Sequence, residues 1–332
     1  MRVLVTGGTG FTGAALARRL AKVGHDVVIL DTKEGIHLDD LRGLGADVHF
    51  GSVTDPAAVD EAMDGVEVVH HVAAAFREIG KSDEHYHGVN VTGTRVMLEA
   101  AERHRIRKFI HCSTCGVHGD VEDPPAAEDA PIAPSDYYQR TKWLGELEVQ
   151  RFSERGLDTV ILRPCAIYGP GDPGRFRMLF QQVANGRFPM FGPGTVQYHA
   201  LFIDNFISAF ELAMEQERGS GGTYLVADEE CLSIEQLVRE VARAMQLSVK
   251  IVHLPLLPLV VAGHVVEKVC RPFGVFPPIF PRRVDWYRQN RAFDIGRAKR
   301  DLGYRPPVSL REGLERTEAW YREQGFLEGG RD

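Results

Sequence analysis

The chain has little of what a nucleic-acid-binding or membrane protein needs. Its 39 lysines and arginines are outnumbered by 46 aspartates and glutamates, for a formal net charge of -7, and no basic run appears. Such a balance gives no electrostatic footprint for nucleic acid. The most apolar stretch, residues 254–266, is too short to span a bilayer and contains Pro255 and Pro258. We therefore expect no nucleic-acid partner and no firm membrane insertion.

Cysteine is scarce and odd in number, with five in 332 residues. The chain begins directly with an apolar, strand-like run, so we expect no signal peptide. Reduced thiols in a cytoplasmic protein are the simplest interpretation. Cys112 and Cys115 stand near two histidines, but alternate residues at a strand end point to opposite faces, so we expect no metal site there.

Short β-branched runs alternate with helical patterns through the first half of the chain. This alternation predicts an α/β fold, a Rossmann-type doubly wound parallel sheet. After about Pro164 the pattern loosens into a smaller α/β lobe that would bind the substrate. We expect domains at 1–164 and 165–332, with some later segments returning to the core. The predicted strands are 3–5, 27–30, 48–50, 66–71, 109–112 and 159–162, and the predicted helices include 14–23, 57–63, 91–103, 233–245 and 309–324.

A glycine-rich turn follows the first predicted strand and precedes a helix: Thr6-Gly7-Gly8-Thr9-Gly10-Phe11-Thr12-Gly13. Glycines at this junction bring backbone amides close to a pyrophosphate, and the helix N-terminus adds its positive end. The second strand ends at Asp31, whose carboxylate can accept hydrogen bonds from ribose hydroxyls and repels the extra phosphate of NADP. Lys33 is close enough to soften that preference. The pattern predicts NAD rather than NADP.

Tyr138 and Lys142 are four residues apart at the start of a predicted helix, so both side chains emerge on one face. A free tyrosine titrates near pKa ~10, too high for a base at neutral pH. A neighbouring ammonium favours the phenolate and lowers that pKa. Tyr137 has only Thr141 as its corresponding partner. Upstream, Ser113 or Thr114 at the end of the fifth strand offers a hydroxyl to the reacting oxygen of a substrate.

Together these motifs resemble the extended short-chain dehydrogenase/reductase superfamily, which includes an NAD-dependent epimerase/dehydratase family, over nearly the whole chain. Further matching motifs are His71-Val72-Ala73-Ala74, Asn90-Val91-Thr92-Gly93-Thr94 and Arg163-Pro164-Cys165-Ala166-Ile167-Tyr168-Gly169-Pro170-Gly171-Asp172. One departure is Gly51-Ser52-Val53, where the family usually has Gly-Asp. The resemblance implies that Thr114, Tyr138 and Lys142 are catalytic. It implies cofactor contacts at Gly7, Gly10, Phe11, Thr12, Gly13, Asp31, Ser52, Val53, Val72, Ala73, Asn90, Tyr138, Lys142, Pro164 and Ile167.

The sequence is compatible with the substrates of two branches of that superfamily. Nucleotide-sugar epimerases and dehydratases usually carry an Arg-Asp pair where this chain has Tyr198-His199. The 3β-hydroxysteroid dehydrogenase and dihydroflavonol reductase branch is similar at residues 186–192 and at the apolar helix predicted over 254–266, with 273–280 beyond it. We expect a bulky hydrophobic secondary alcohol, with sugar-nucleotide chemistry as the alternative and an NAD-sensing protein without turnover as a third. Expected substrate contacts are Ala75, Arg175, Arg187, Tyr198 and His199, and Arg177, Arg282 and Arg283 are further candidates for binding phosphates.

The resemblance also implies a mechanism and an assembly. Tyr138 as phenolate would remove the hydroxyl proton while the nicotinamide takes the hydride. Thr114 would hold the oxygen, and Lys142 would bind the nicotinamide ribose. Relatives commonly form homodimers through a four-helix bundle, to which the helices at 91–103 and 138–155 correspond here.

Overall fold

The computed structural model describes residues 1–35, 37–76, 78, 80–172, 174–216, 220–270 and 284–327. A π-helical segment, Gly88–Gly93, joins the helices Asp83–His87 and Thr94–Arg103, and short 3-10 turns lie at Cys115–His118 and Asp285–Tyr287. The strands are β1 (Arg2–Thr6), β2 (Asp26–Asp31), β3 (Asp47–Phe50), β4 (Val68–His71), β5 (Lys108–Cys112), β6 (Thr159–Pro164), β7 (Ala166–Tyr168), β8 (Arg187–Phe191), β9 (Gln197–Phe202), β10 (Thr223–Val226), β11 (Cys231–Ser233) and β12 (Lys250–Leu254). The helices are α1 (Phe11–Lys22), α2 (Leu38–Gly43), α3 (Pro56–Ala62), α4 (Asp83–His87), α5 (Thr94–Arg103), α6 (Tyr137–Glu154), α7 (Arg175–Ala184), α8 (Ile203–Glu215), α9 (Ile234–Ala244), α10 (Leu256–Cys270), α11 (Gly296–Asp301) and α12 (Leu310–Glu323).

A seven-stranded parallel sheet forms the centre of the molecule, in the order β10-β6-β5-β4-β1-β2-β3. Its inner strands are buried on both faces, which explains their unbroken apolar runs. Because β1 lies between β2 and β4, the connections leave it in opposite directions and open a crevice at the carboxyl ends of the strands. The predicted Rossmann-type fold is confirmed.

The chain after Pro164 contributes to both parts of the molecule. It adds β10 to the edge of the large sheet and lays α8 beside α1, where Arg19 and Glu211 form an ion pair at 2.8 Å. It also forms two small sheets, β11-β9-β7 and β12-β8. The three-stranded sheet extends one side of the crevice, since β7 follows β6 after a single residue.

Two predicted elements differ from the structure. The helix predicted over 254–266 starts two residues later and runs further: β12 pairs with β8 as far as Leu254, and α10 begins at Leu256 and continues to Cys270. Pro255, between them, has no N–H to donate and favours a helix start. The helix predicted over 91–103 begins earlier, because α4, the π-helical segment and α5 follow one another without interruption from Asp83 to Arg103.

Helix α10 exposes an apolar stripe with the spacing of one helix face. Leu257, Val261, Val265 and Val269 are 72%, 54%, 53% and 58% exposed. Among the described residues, however, no helix combines the length and the apolar character needed to cross a membrane.

The predicted dimer gives a direct test, because α5 and α6 would both lie at its interface. Leu147 on α6 is 38% exposed, and a second copy would cover it in a four-helix bundle. We expect wild-type protein to have a native mass of twice 37.0 kDa. Leu147→Glu would bury a charge from each chain near the two-fold axis and shift the mass to that of a single chain. Leu247→Glu, on another exposed leucine, is the control, and a wild-type mass of one chain would contradict the dimer.

Candidate active site

A cavity of about 890 Å³ lies at the carboxyl ends of the central strands. Its walls bring together residues that are far apart in the sequence, from the glycine-rich turn, the ends of β2 and β4, the start of α6 and the segment after β6. Of the residues expected to bind cofactor or to be catalytic, the lining contains Gly7, Gly10, Phe11, Thr12, Gly13, Asp31, Ser52, Val53, Val72, Ala73, Thr114, Tyr138, Lys142, Pro164 and Ile167.

The glycine-rich turn has the shape that a dinucleotide requires. Gly7 has a φ of +67°, and a Cβ there would lie 2.9 Å from the Cα of Ala73. A Cβ on Gly13 would lie 2.1 Å from the carbonyl oxygen of Gly7, so only glycine permits this close turn. Helix α1 starts after Gly10 without a side-chain cap, which leaves its first amides for an anion. The residues present therefore fit the pyrophosphate of NAD.

Asp31 lies at the end of β2 beside this turn. One carboxylate oxygen accepts hydrogen bonds from the Thr9 amide at 3.0 Å and the Thr9 hydroxyl at 2.8 Å. The other accepts from the amides of Thr32 and Lys33, at 2.7 and 3.3 Å. The carboxylate thus fixes the turn and places a negative charge on the cavity wall. We expect this charge to favour ribose hydroxyls over a ribose phosphate.

Helix α6 presents Tyr138 and Lys142 to the cavity. The helix begins at this point because the Asp136 side chain accepts a hydrogen bond from the Gln139 amide at 2.8 Å. Lys142 is almost fully buried. Burial lowers the pKa of its ammonium, while Cys112 and Glu146 act in the opposite direction. A buried cation one helical turn from Tyr138 stabilises a phenolate.

Hydrogen bonding separates Ser113 from Thr114. The Ser113 hydroxyl donates to the buried carboxylate of Glu146, so its proton is already used. The Thr114 hydroxyl accepts from the Gly116 amide at 3.1 Å, as the cap of a 3-10 turn. A hydroxyl that accepts a bond still has its proton to donate. Of the two, Thr114 is therefore the one suited to hold a substrate oxygen.

Asn90 does not line the cavity, although the resemblance implied that it contacts the cofactor. Its amide bridges the loop after β4 to α6: the oxygen accepts from the Ala75 amide at 2.9 Å, and the nitrogen donates to the Thr141 hydroxyl at 3.0 Å and to the Ala75 carbonyl at 3.2 Å. Burial lowers the pKa of neighbouring His71 to about 3. Neutral His71 links the Thr6 and Thr94 hydroxyls, at 2.8 and 3.0 Å. Asn90 and His71 therefore hold together the segments that form the cavity walls.

Some of the substrate contacts expected from the sequence line the cavity, and others do not. Tyr198 and His199 line the cavity. However, the two ring nitrogens of His199 already bond to the Asp228 carbonyl and the Phe293 amide, at 2.9 and 3.4 Å, so His199 offers a surface rather than a hydrogen bond. Ala75 is buried outside the cavity lining, and Arg187 is exposed at the start of β8, away from it.

Two further candidates, Arg177 and helix α10, do not line the cavity in the part of the chain that the structure describes. Arg177 is on α7 and does not line the cavity; its guanidinium lies 4.8 Å from the Phe326 ring centre. The described side chains of helix α10 are likewise absent from the lining. The side chain of Arg175 and residues 273–280, Arg282 and Arg283 lie outside the described residues.

Phe76 and Arg291 are among the lining residues that sequence reasoning did not select. The ring of Phe76 packs against that of Tyr138 with centroids 4.8 Å apart, and it is still 44% exposed. Phe76 follows the end of β4 closely, so its position on a ligand-binding edge was readable from the sequence. Arg291 reaches the cavity by pairing beside Tyr198 on β9. No local pattern predicts a pairing across so many residues.

Comparison with known proteins agrees with this geometry. A family model described as NAD dependent epimerase/dehydratase matches residues 3–227. The chain belongs to the NAD-dependent epimerase/dehydratase family. It is therefore an NAD-dependent enzyme of the short-chain dehydrogenase/reductase type, and its cofactor is NAD.

Relatives within the family differ in substrate. The enzyme is 31% identical to the 2-alkyl-3-oxoalkanoate reductase of Stenotrophomonas maltophilia, over 96% of this chain and 99% of that protein. It is 30% identical to sterol demethylase protein B of Methylococcus capsulatus, over 98% and 100%. Its structure is similar to that of UDP-glucose 4-epimerase from Thermotoga maritima, solved with UDP-glucose, with a TM-score of 0.78, 23% identity and coverage of 98% and 99%. This last likeness shows the fold.

The position of Asp31 predicts how the enzyme distinguishes cofactors. Asp31→Asn removes the charge while keeping the size of the side chain. Because a hydrogen bond to a charged group contributes about 1.5–3 kcal/mol, we expect affinity for NAD to fall about 10-fold or more and affinity for NADP to change less. Calorimetric titration with each dinucleotide measures both. Asp39→Asn, on an exposed carboxylate of α2, should change neither, and an unchanged NAD affinity in Asp31→Asn would refute the assignment.

Proposed function

We propose that the enzyme interconverts a secondary alcohol and a ketone on a bulky, mainly apolar substrate, with NAD as the hydride carrier. The observation that supports this substrate class most directly is the Phe76 ring against Tyr138, which places an exposed apolar surface beside the reacting group. Ile167 and Tyr198 add further apolar lining. Two relatives described above are named for compounds with large apolar parts, an alkyl-oxoalkanoate and a sterol.

In this proposal three side chains share the proton chemistry. Tyr138, as the phenolate, takes the proton of the substrate hydroxyl. Thr114 donates its hydroxyl proton to the same oxygen and holds it in place while its own oxygen stays bonded to the Gly116 amide. Lys142 keeps the phenol acidic and binds the nicotinamide ribose. Bound NAD supplies the acceptor for the hydride. In the direction of ketone reduction, Tyr138 returns the proton.

Sugar-nucleotide epimerisation is the second candidate, and Arg291 favours it. Among the described residues that line the cavity, Arg291 is the one arginine, the residue type that best binds a phosphate. Its guanidinium also donates to Gln289 at 2.9 Å. An epimerase would return the hydride to the opposite face of a rotated ketone, so no NADH would accumulate. Net NADH production therefore separates the two candidates.

A substrate panel tests the proposal. Purified enzyme with NAD is offered sterols, flavanols, 2-alkyl-3-hydroxyalkanoates and sugar nucleotides while the NADH absorption band is followed. Growth of NADH with an apolar alcohol supports the proposal. A changed sugar nucleotide without net NADH would overturn it in favour of the epimerase.

The role of Tyr138 predicts the effect of removing its hydroxyl. We expect Tyr138→Phe to lower kcat by roughly 10²–10⁴-fold, the usual contribution of a positioned acid–base group, and to leave NAD affinity within about threefold. Steady-state kinetics and NAD titration measure the two quantities. The matched control is Tyr137→Phe, the adjacent tyrosine on the same helix. Turnover retained in Tyr138→Phe would show that this residue is not the base.

The role of Phe76 predicts a selective loss of apolar substrates. Phe76→Ala removes one aromatic wall beside Tyr138, and an aromatic contact of this kind contributes about 0.5–1.5 kcal/mol. We expect kcat/KM for an apolar alcohol to fall about 2- to 12-fold, with NAD affinity unchanged. Leu247→Ala, on a leucine that is 41% exposed and outside the cavity lining, is the control. An unchanged kcat/KM in Phe76→Ala would remove the main support for an apolar substrate.

A further inference from the structure

A buried network of charged and polar side chains lies directly behind the candidate active site. Glu146 on α6 and Arg163 on β6 form its centre, and both are almost fully buried. The guanidinium is bidentate: its Nη2 lies 2.6 Å from one carboxylate oxygen, and its Nε lies 3.0 and 3.2 Å from the two oxygens. Bidentate pairing fixes the orientation of both groups as well as their distance.

The remaining donors of Arg163 hold two further segments. Its Nη1 donates to the Glu128 carbonyl at 3.1 Å and lies 3.0 Å from His118 Nε2. Since the guanidinium has only donors, His118 must accept there and donate through Nδ1 to the Pro131 carbonyl, at 3.2 Å. The network therefore requires neutral His118, in agreement with the lowering of its pKa by burial and by Arg163.

Three members of the network, Ser113, Glu146 and Arg163, are close in the chain to residues of the site. Ser113, which donates to Glu146, precedes Thr114 in the chain. Glu146 follows Lys142 by four residues on α6, one helical turn further along the same face. Arg163 precedes Pro164, a residue of the cavity lining. One carboxylate thus ties together the strand end that carries Thr114 and the helix that carries Tyr138 and Lys142.

We infer that Glu146 and Arg163 are positioning residues for the proton chemistry: they hold α6 against the ends of β5 and β6, so that Thr114, Tyr138 and Lys142 meet one substrate oxygen. This inference rests on the proposed roles of those three residues. Helix α6 and strand β5 are separate elements, and a small shift between them would change the distance from Thr114 to Tyr138. Displacements of about 1 Å can reduce turnover about 100-fold without touching the reacting groups.

A buried ion pair can also be purely structural, and paired variants distinguish the two roles. Glu146→Gln leaves Arg163 charged and uncompensated, so it lowers stability in either case. The double variant Glu146→Gln/Arg163→Met removes both charges and should recover most of the melting temperature. A positioning role predicts that kcat stays about 10- to 100-fold low in the double variant, because the bidentate tie is still missing. A structural role predicts that kcat recovers together with stability.

Two further variants complete the test. Ser113→Ala keeps the ion pair and removes the tie from the end of β5, so we expect a fall in kcat of about 5-fold and a smaller loss of melting temperature than in Glu146→Gln. Glu318→Gln is the matched control, because Glu318 is also buried and pairs with Arg322, on α12. It should lower the melting temperature and leave kcat within about twofold of wild type. For every variant, kcat is measured with NAD and a 2-alkyl-3-hydroxyalkanoate, or with the alcohol that the panel selects, and NAD affinity is measured by titration.

The outcomes separate this inference from the proposed function. Low kcat in Ser113→Ala and in the double variant, with NAD affinity within about threefold of wild type, supports positioning. Wild-type kcat in both overturns it, as does a loss of kcat in Glu318→Gln equal to that in the double variant. If Tyr138→Phe is inactive while the network variants are active, only the positioning role fails. If Tyr138→Phe keeps full turnover, the proposed acid–base chemistry itself fails.

Discussion

All parts of the site depend on the parallel arrangement of the strands around β1. Parallel strands end at one edge of the sheet, so the segments that follow β1, β2, β4, β5 and β6 meet there, although they are separated by up to about half of the chain. The backbone at this edge supplies no reactive group of its own. It brings a glycine turn, a carboxylate, a hydroxyl and the start of α6 to one cavity. Loss of the sheet order would therefore abolish cofactor binding and proton transfer together.

Spacing along α6 gives the second constraint. Tyr138, Lys142 and Glu146 follow one another at intervals of four, so one helix face passes from the cavity to the buried interior. Lys142 occupies the middle of this face, where burial disfavours its charge and Glu146 partly offsets that effect. Arg163 in turn neutralises Glu146. In the proposed chemistry, the Lys142 charge that acidifies Tyr138 is thus supported by Glu146 and Arg163, which do not line the cavity.

Local patterns were sufficient to predict the sheet, and most residues that they selected for the cofactor line the cavity. The glycine turn and Asp31 lie at strand ends, where sequence position and spatial position coincide. Local patterns do not tell which way a side chain points where long-range packing determines its direction. Asn90 is turned toward Ala75 and Thr141 by the hydrogen bonds of its own amide, and Arg187 points to solvent from an edge sheet. Arg291 entered the cavity through strand pairing that the sequence does not encode locally.

The hydrogen bonds of adjacent side chains distinguish residues that sequence spacing cannot. Ser113 and Thr114 are adjacent hydroxyls at the same strand end, and sequence alone treats them alike. A hydroxyl has a single proton, and Glu146 takes that of Ser113 while the Gly116 amide occupies only a lone pair of Thr114. The same reasoning applies to His199, whose two nitrogens are used within the protein. The cavity lining also contains charged and polar side chains, among them Lys81, Gln139 and Arg291, while Phe76 adds an apolar ring against Tyr138. The substrate that we propose, with one oxygen at the reacting carbon and an apolar body, would use the Thr114 hydroxyl and the Phe76 ring.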